Sequence, residues 1–244
     1  MRICLTIDID WAPEDAILWI AERIRTAKVP ATWFATHQSE TLQALAQEPH
    51  HEIGLHPNFF PGSTHGQSME EVMVHLASIY PGTRGVRAHG LLDSTRHQWH
   101  YRDLGMKYVS NIIKWNEPSE PFYLPWTDLW HFPISWEDDC ACLSSQDDSI
   151  PEPLLAPEGS LWVVTFHPIY CYLNENPYLQ AYAQVKSQCK DLSKASKSFL
   201  EPFRRKGDGL AHVFDSFLDQ NDRGRFALLG GLYLERERER TGAA

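Results

Sequence analysis

Short apolar runs alternate with amphipathic stretches along most of this chain, and that alternation constrains its fold more than any other feature. RICLTIDI, ATWFAT, HEIGLH, GVRAHG and MKYVSN each read as a strand. Between them lie helical signals. From 13 to 27, Ile17, Ile20 and Ile24 recur at helical spacing, with Glu14 and Asp15 in the first turn. SETLQALAQ follows the second strand. Ser68 and Glu71 form a capping-box pattern before VMVHLASIY. Another helix starts at Ser94 or Thr95 and stops at Gly105. LWHFPISW and LWVVTFHP are later strands, and FALLG is read as the last one. Strands separated by helices must run parallel, because each crossover returns the chain to the same end of the sheet. The expected class is therefore α/β, with a parallel sheet that is open or closed as a barrel.

Composition narrows the class further. The chain has 244 residues, 43% of them hydrophobic, enough for a sizeable core, and is read as one domain over 1–244. The stretch 115–157, rich in Pro, Trp and acids, is expected to form excursion loops over one end of the sheet. The alternating charges of LERERERTGAA suggest that 235–244 is a solvated tail or a helix of paired charges. The formal net charge is -10, and no basic stripe is present, which argues against a nucleic-acid partner. No apolar run reaches the ~20 residues of a membrane span. A single Arg precedes a run that meets Asp8 at once, which is not a signal-peptide pattern, so a cytoplasmic location is expected. The five cysteines are an odd number without a CxxC pair, and free thiols are expected.

In parallel sheets, sites form at the C-terminal ends of the strands. Here those ends carry Asp8 and Asp10, Thr36 and His37, His56, Arg87 and His89, and His167. Acids, histidines and an arginine thus gather at one rim. Alternation puts Asp8 and Asp10 on one face if the first strand continues, where two like charges need a cation or a division of labour. Neutral imidazoles with a carboxylate suit a divalent metal such as zinc. Asp10 then serves as a ligand and Asp8 as the base for an attacking water. Arg87 keeps Asp8 ionised, and His167 protonates the leaving group. That is the outline of an amide or ester hydrolase. The rival reading of Asp10 is a plain helix cap before Pro13.

TIDID, HEIGLH, VRAHG and VVTFHP, in this order, resemble the motifs of the polysaccharide deacetylase family (carbohydrate esterase family 4, with the NodB homology domain). HPNFFPGSTHG and FHPIYCYLN look closest to its WbmS-like branch, associated with bacterial surface-polysaccharide genes. The resemblance implies a distorted parallel (β/α) barrel of about seven strands. It also implies Asp8 as base, Asp10 and His56 as metal ligands, Arg87 holding the base and His167 as general acid. Asp138 is the acid chosen from WEDD to orient His167, in preference to Glu137 and Asp139. The family's second histidine ligand usually lies four residues after the first, where this chain has Phe60, so His65 is the expected third ligand, with His89, Asn58 or water as alternatives. Zinc is the expected ion, with cobalt, nickel or manganese possible replacements. Substrate contacts are expected from His89, Asn58 and Trp136, and Trp126 and Trp130 also offer faces for stacking on sugar rings. The implied activity is metal-dependent removal of N-acetyl from an amino sugar or a surface-polysaccharide precursor. The alternatives are hydrolysis of another C–N bond, such as a cyclic amide or ureide, or an inactive relative that only binds carbohydrate.

Overall fold

The computed structural model describes residues 1–144 and 160–242. The strands are β1 (Arg2–Asp8), β2 (Ala31–Ala35), β3 (His51–Leu55), β4 (Gly85–Val86), β5 (Tyr108–Val109), β6 (Phe122–Leu124), β7 (Leu129–His131), β8 (Trp136–Glu137) and β9 (Leu161–Phe166). The helices are α1 (Glu14–Ala27), α2 (Glu40–Leu45), α3 (Met69–Ile79), α4 (Thr95–Asp103), α5 (Asp138–Ser144), α6 (Pro168–Leu173), α7 (Gln180–Gln188), α8 (Lys197–Leu200), α9 (Leu210–Gln220) and α10 (Leu229–Thr241). The sheet runs β6-β7-β5-β4-β3-β2-β1-β9-β8. Every pairing is parallel except β6 with β7.

One segment, 129–137, draws the two ends of this sheet together. Its first part pairs with β5, and Phe132 N donates to Val109 O at 2.9 Å. Ile134 N still reaches Ile112 O at 2.7 Å. One residue later Ser135 N has crossed to Val163 O at 2.8 Å, and β8 continues beside β9. The sheet therefore curls round on itself, with β1 to β5, the 129–137 segment and β9 as its staves. β6 is an antiparallel flap outside them.

Side-chain alternation along each stave builds two cores. Ile3, Leu5 and Ile7 of β1 belong to the larger one, outside the staves, with Ile17, Ile20 and Ile24 of α1 and Phe214 and Phe217 of α9. Cys4 joins the smaller inner core with Phe34, Tyr108, Phe132 and Val163. Leu229 and Leu232 of α10 complete that inner core from below. α10 lies across the N-terminal ends of the strands: Leu229 N donates to Thr32 Oγ1 at 3.2 Å, and Gly230 N to Glu52 Oε2 at 2.8 Å. Gly54 is an inner residue where a side chain has no room. A Cβ there would stand 2.7 Å from the Phe34 ring.

The fold decides four readings. FALLG is not a strand: Phe226 makes one isolated bridge to Ile3, and Leu229 then starts α10. The charged tail is helical through Thr241. Glu235 pairs with Arg2, and Glu237 accepts from Trp130 Nε1 at 2.9 Å, so it packs against the strand ends. Within 115–157, residues 129–137 belong to the sheet itself, β6 flanks it, and 145–157 lie outside the described residues. Asp10 does not cap α1, whose N-cap is Pro13 without a side-chain bond. All five cysteines are free, as expected.

Candidate active site

The inward residues of β1 are Cys4, Thr6 and Asp8, so the first acid arrives inside the rim by simple alternation. Its partner comes from just beyond β4. Arg87 is fully buried and fully occupied. Nη1 lies 2.9 Å from Asp8 Oδ1, 2.9 Å from Thr6 Oγ1 and 3.0 Å from Thr165 Oγ1. Nη2 donates to Ser110 Oγ at 2.7 Å and Nε to Ser110 O at 3.1 Å. The guanidinium carbon stands 4.4 Å over the centre of the Phe34 ring. A lysine offers no such fork of donors. This arrangement compensates the buried Asp8 charge and fixes the direction of its carboxylate.

The second acid does not follow from strand alternation, because β1 ends at Asp8. The chain turns through Asp10 at φ 40° and Trp11 at φ 54°, left-handed values that side chains seldom adopt. Trp11 N donates to Thr36 Oγ1 at 3.0 Å, which pins this turn to the end of β2. The turn aims Asp10 at two histidines. Its Oδ1 lies 3.1 Å from His56 Nε2 and 2.9 Å from His89 Nδ1. Burial opposes the charge on Asp10. The hydrogen bonds from His56 and His89, with the His167 charge, outweigh it and hold this carboxyl well below the usual range.

His167 stands beside both acids, with a ring nitrogen within 4.8 Å of an Asp8 oxygen. Its ring Nδ1 lies 2.6 Å from Asp138 Oδ1, and its backbone N donates to Asp138 Oδ2 at 2.8 Å. Asp138 therefore grips both the ring and the main chain, which leaves Nε2 facing the pocket, 3.7 Å from Asp10 Oδ2. Burial disfavours the imidazolium, but the Asp138 charge and hydrogen bond dominate and raise the His167 pKa well above its ordinary value. Tyr170 packs on this ring, with centroids 5.0 Å apart.

These groups line a cleft of about 410 Å³ with Tyr182 and Glu137. Glu137 offers a carboxylate oxygen within 4.8 Å of ligand atoms of Asp8 and His167. Burial and Asp139 push its carboxyl up to about 8. Alternation in WEDD was the available signal: Trp136 points into the outer core, so Glu137 points to the interior. Tyr170 and Tyr182 carried no comparable signal.

Asp10, His56 and His89 bring one ligand atom each within 4.8 Å of one another, a spacing a single divalent ion can span. Among the described residues His56 Nδ1 is buried without a hydrogen-bond partner, and the ring's other nitrogen faces Asp10. Two imidazoles and a carboxylate suit zinc and its transition-metal neighbours. His65 is not brought into this cluster. Its Nδ1 accepts from Asn58 N at 3.2 Å, which places the ring proton on Nε2, and the ring stacks on Trp11. Burial and His75 lower its pKa to about 4. Trp136 is not available to substrate either: it is fully buried between Trp115 and Phe166. Trp126 precedes β7, and Trp130 bonds to Glu237 of α10, so both sit at the opposite end of the staves. Asn58 does line a cleft beside Asp10, with its Oδ1 accepting from Phe60 N. His37 bonds to Thr36 Oγ1 as a structural residue.

A family model described as WbmS-like polysaccharide deacetylase matches residues 5–186. Among solved structures, one from Bordetella bronchiseptica is 30% identical, with a TM-score of 0.79 and 91% of each chain covered; it is described as a candidate polysaccharide deacetylase involved in O-antigen biosynthesis. A candidate polysaccharide deacetylase from Mycobacterium smegmatis shares the fold at 14% identity, with a TM-score of 0.54 over 98% of this chain and 91% of that one. No curated protein sequence is a significant match.

Proposed function

This chain belongs to the WbmS-like polysaccharide deacetylase family, and from that premise we propose that it is a metal-dependent hydrolase that removes an acetyl group from the nitrogen of an amino sugar, as a step in building a surface polysaccharide. The observation that carries the reading is that Asp8, fixed by Arg87, and His167, fixed by Asp138, both stand beside the Asp10, His56 and His89 cluster. Those three residues would hold the divalent ion, with zinc the first choice. When bound, such an ion polarises a carbonyl and acidifies a water.

The chain's own residues supply the rest. Water adds to the acetyl carbonyl carbon while Asp8 takes its proton, and Arg87 keeps the accepting oxygen aimed. The C–N bond then breaks. An amide nitrogen leaves poorly unless it is protonated, and His167 Nε2 delivers that proton. Asp138 is a positioning residue, which holds the ring by its other nitrogen. The products are acetate and the free amine. Burial of Asp8, Arg87 and His167 excludes bulk water from both proton transfers.

The test is acetate release from N-acetylated amino sugars by the zinc-loaded protein. Asp8→Asn is expected to bind zinc normally and lose at least ~10²-fold in kcat/KM, the usual contribution of a general base. Full activity in Asp8→Asn removes the base assignment. A protein that binds zinc and sugar but releases no acetate is a binder rather than an enzyme.

A further inference from the structure

A second cleft, of about 480 Å³, opens beside the first, and Asp10 lines both. Trp11 and His65 form its near wall. Its far wall carries Lys186, Lys190 and Lys194. Lys194 pairs with Asp191 at 2.6 Å. Lys186 stands 5.9 Å from the Tyr182 ring centre, and among the described residues neither Lys186 nor Lys190 has an ion-pair partner. Burial lowers the pKa of His37 and of His65, so these rings add no charge to this wall. The two acids that line the same cleft are engaged elsewhere, Asp191 with Lys194 and Asp10 with His56 and His89, so the cleft presents Lys186 and Lys190 as its available ammonium groups in a chain of net charge -10. Tyr182 and Lys186 are four residues apart on α7 and share a face. Tyr182 lines the catalytic cleft and Lys186 the cationic one, so one helix face joins them. Lys190 and Lys194 fall outside the 5–186 match to the family model.

We propose that this cleft seats an anionic group, a phosphate or a carboxylate, borne by the same molecule whose acetamido group enters between Asp8 and His167. The substrate is then a charged sugar rather than a neutral one. This rests on the deacetylase reading for the other end of the substrate. Ammonium groups make charge-assisted hydrogen bonds to either anion, and such bonds are the stronger class.

Calorimetric titration tests the cleft independently of activity. The probes are N-acetylglucosamine, its 1-phosphate, its 6-carboxylate analogue and inorganic phosphate. At least one charged sugar is expected to bind about tenfold tighter than the neutral one at low salt, and which one does so identifies the anion. The Lys186→Gln/Lys190→Gln protein is expected to lose that preference while its affinity for the neutral sugar stays unchanged. Equal affinities for all three sugars overturn the proposal, as does a preference that survives the double substitution. Phosphate binding lost in the double variant supports the cleft even where no acetate is released, in which case only the deacetylase reading fails.

Discussion

Arg87 shows how one buried side chain sets the chemistry of its neighbours. It ties Asp8, Thr6, Thr165 and Ser110 together inside the staves. Removing one partner of a buried ion pair leaves the other uncompensated, at a cost of about 3–5 kcal/mol. Arg87→Ala is therefore expected to lower unfolding stability by that amount in urea. A loss below about 1 kcal/mol means that Asp8 finds another partner. The choice of third ligand is also a residue-scale matter. His89 approaches Asp10 Oδ1 to 2.9 Å, whereas His65 is turned toward the Asn58 backbone. Elemental analysis of His89→Ala should find little zinc, and His65→Ala should retain it. The reverse result restores His65 to the shell.

Elements position these residues through two inner contacts. Gly54 in β3 leaves space for the Phe34 ring, and that ring carries the Arg87 guanidinium. Gly54→Ala pushes on both and is expected to cost about 1–3 kcal/mol, as overpacking does. Glu52, two residues earlier and also inward, anchors α10 through Gly230 N and accepts from Thr32 Oγ1 at 3.1 Å. Burial raises its carboxyl above the ordinary value, against those hydrogen bonds. The folded state therefore holds this proton more tightly than the unfolded chain. Its contribution to stability is fully present below the ordinary carboxyl pKa and is lost as pH rises through the raised one. Glu52→Gln keeps an acceptor oxygen without the charge. Thermal melts across the weakly acidic range should show a shallower decline for this variant than for the parent, and parallel curves refute the assignment.

At the scale of the whole molecule, the 129–137 segment matters most. By passing from β5 to β9 it brings α5, and with it Asp138, against the end of β9 where His167 stands. The site is thus assembled from β1, β3, the turn after β4, and β9. Binding an ion to residues so far apart in sequence stabilises the folded state alone. Zinc at a thousand times its Kd is expected to add about 4 kcal/mol, read as a rise in Tm. His56→Ala should abolish the rise, and an unchanged rise in that variant places the ion elsewhere.

The sequence by itself determined the parallel α/β class and the residues that stand at the C-terminal rim of its strands. Those features follow from alternation within single strands and from the residue at each strand end. The rim positions of Asp8, Arg87, His56 and His167 were legible for that reason, whereas Asp138 came from the family resemblance, since alternation in WEDD points to Glu137. Tertiary structure alone decided which histidine joins Asp10, because a left-handed turn at Asp10 and Trp11 sets the carboxylate's direction. It decided that Trp136 is core, since the fold makes the outward face of that stave a packed interior. It also turned FALLG from a strand into the entrance to a helix across the strand ends, where the inner core left Leu229 and Leu232 a place to be buried. Each of these outcomes depends on contacts between segments distant in sequence, which no local pattern encodes.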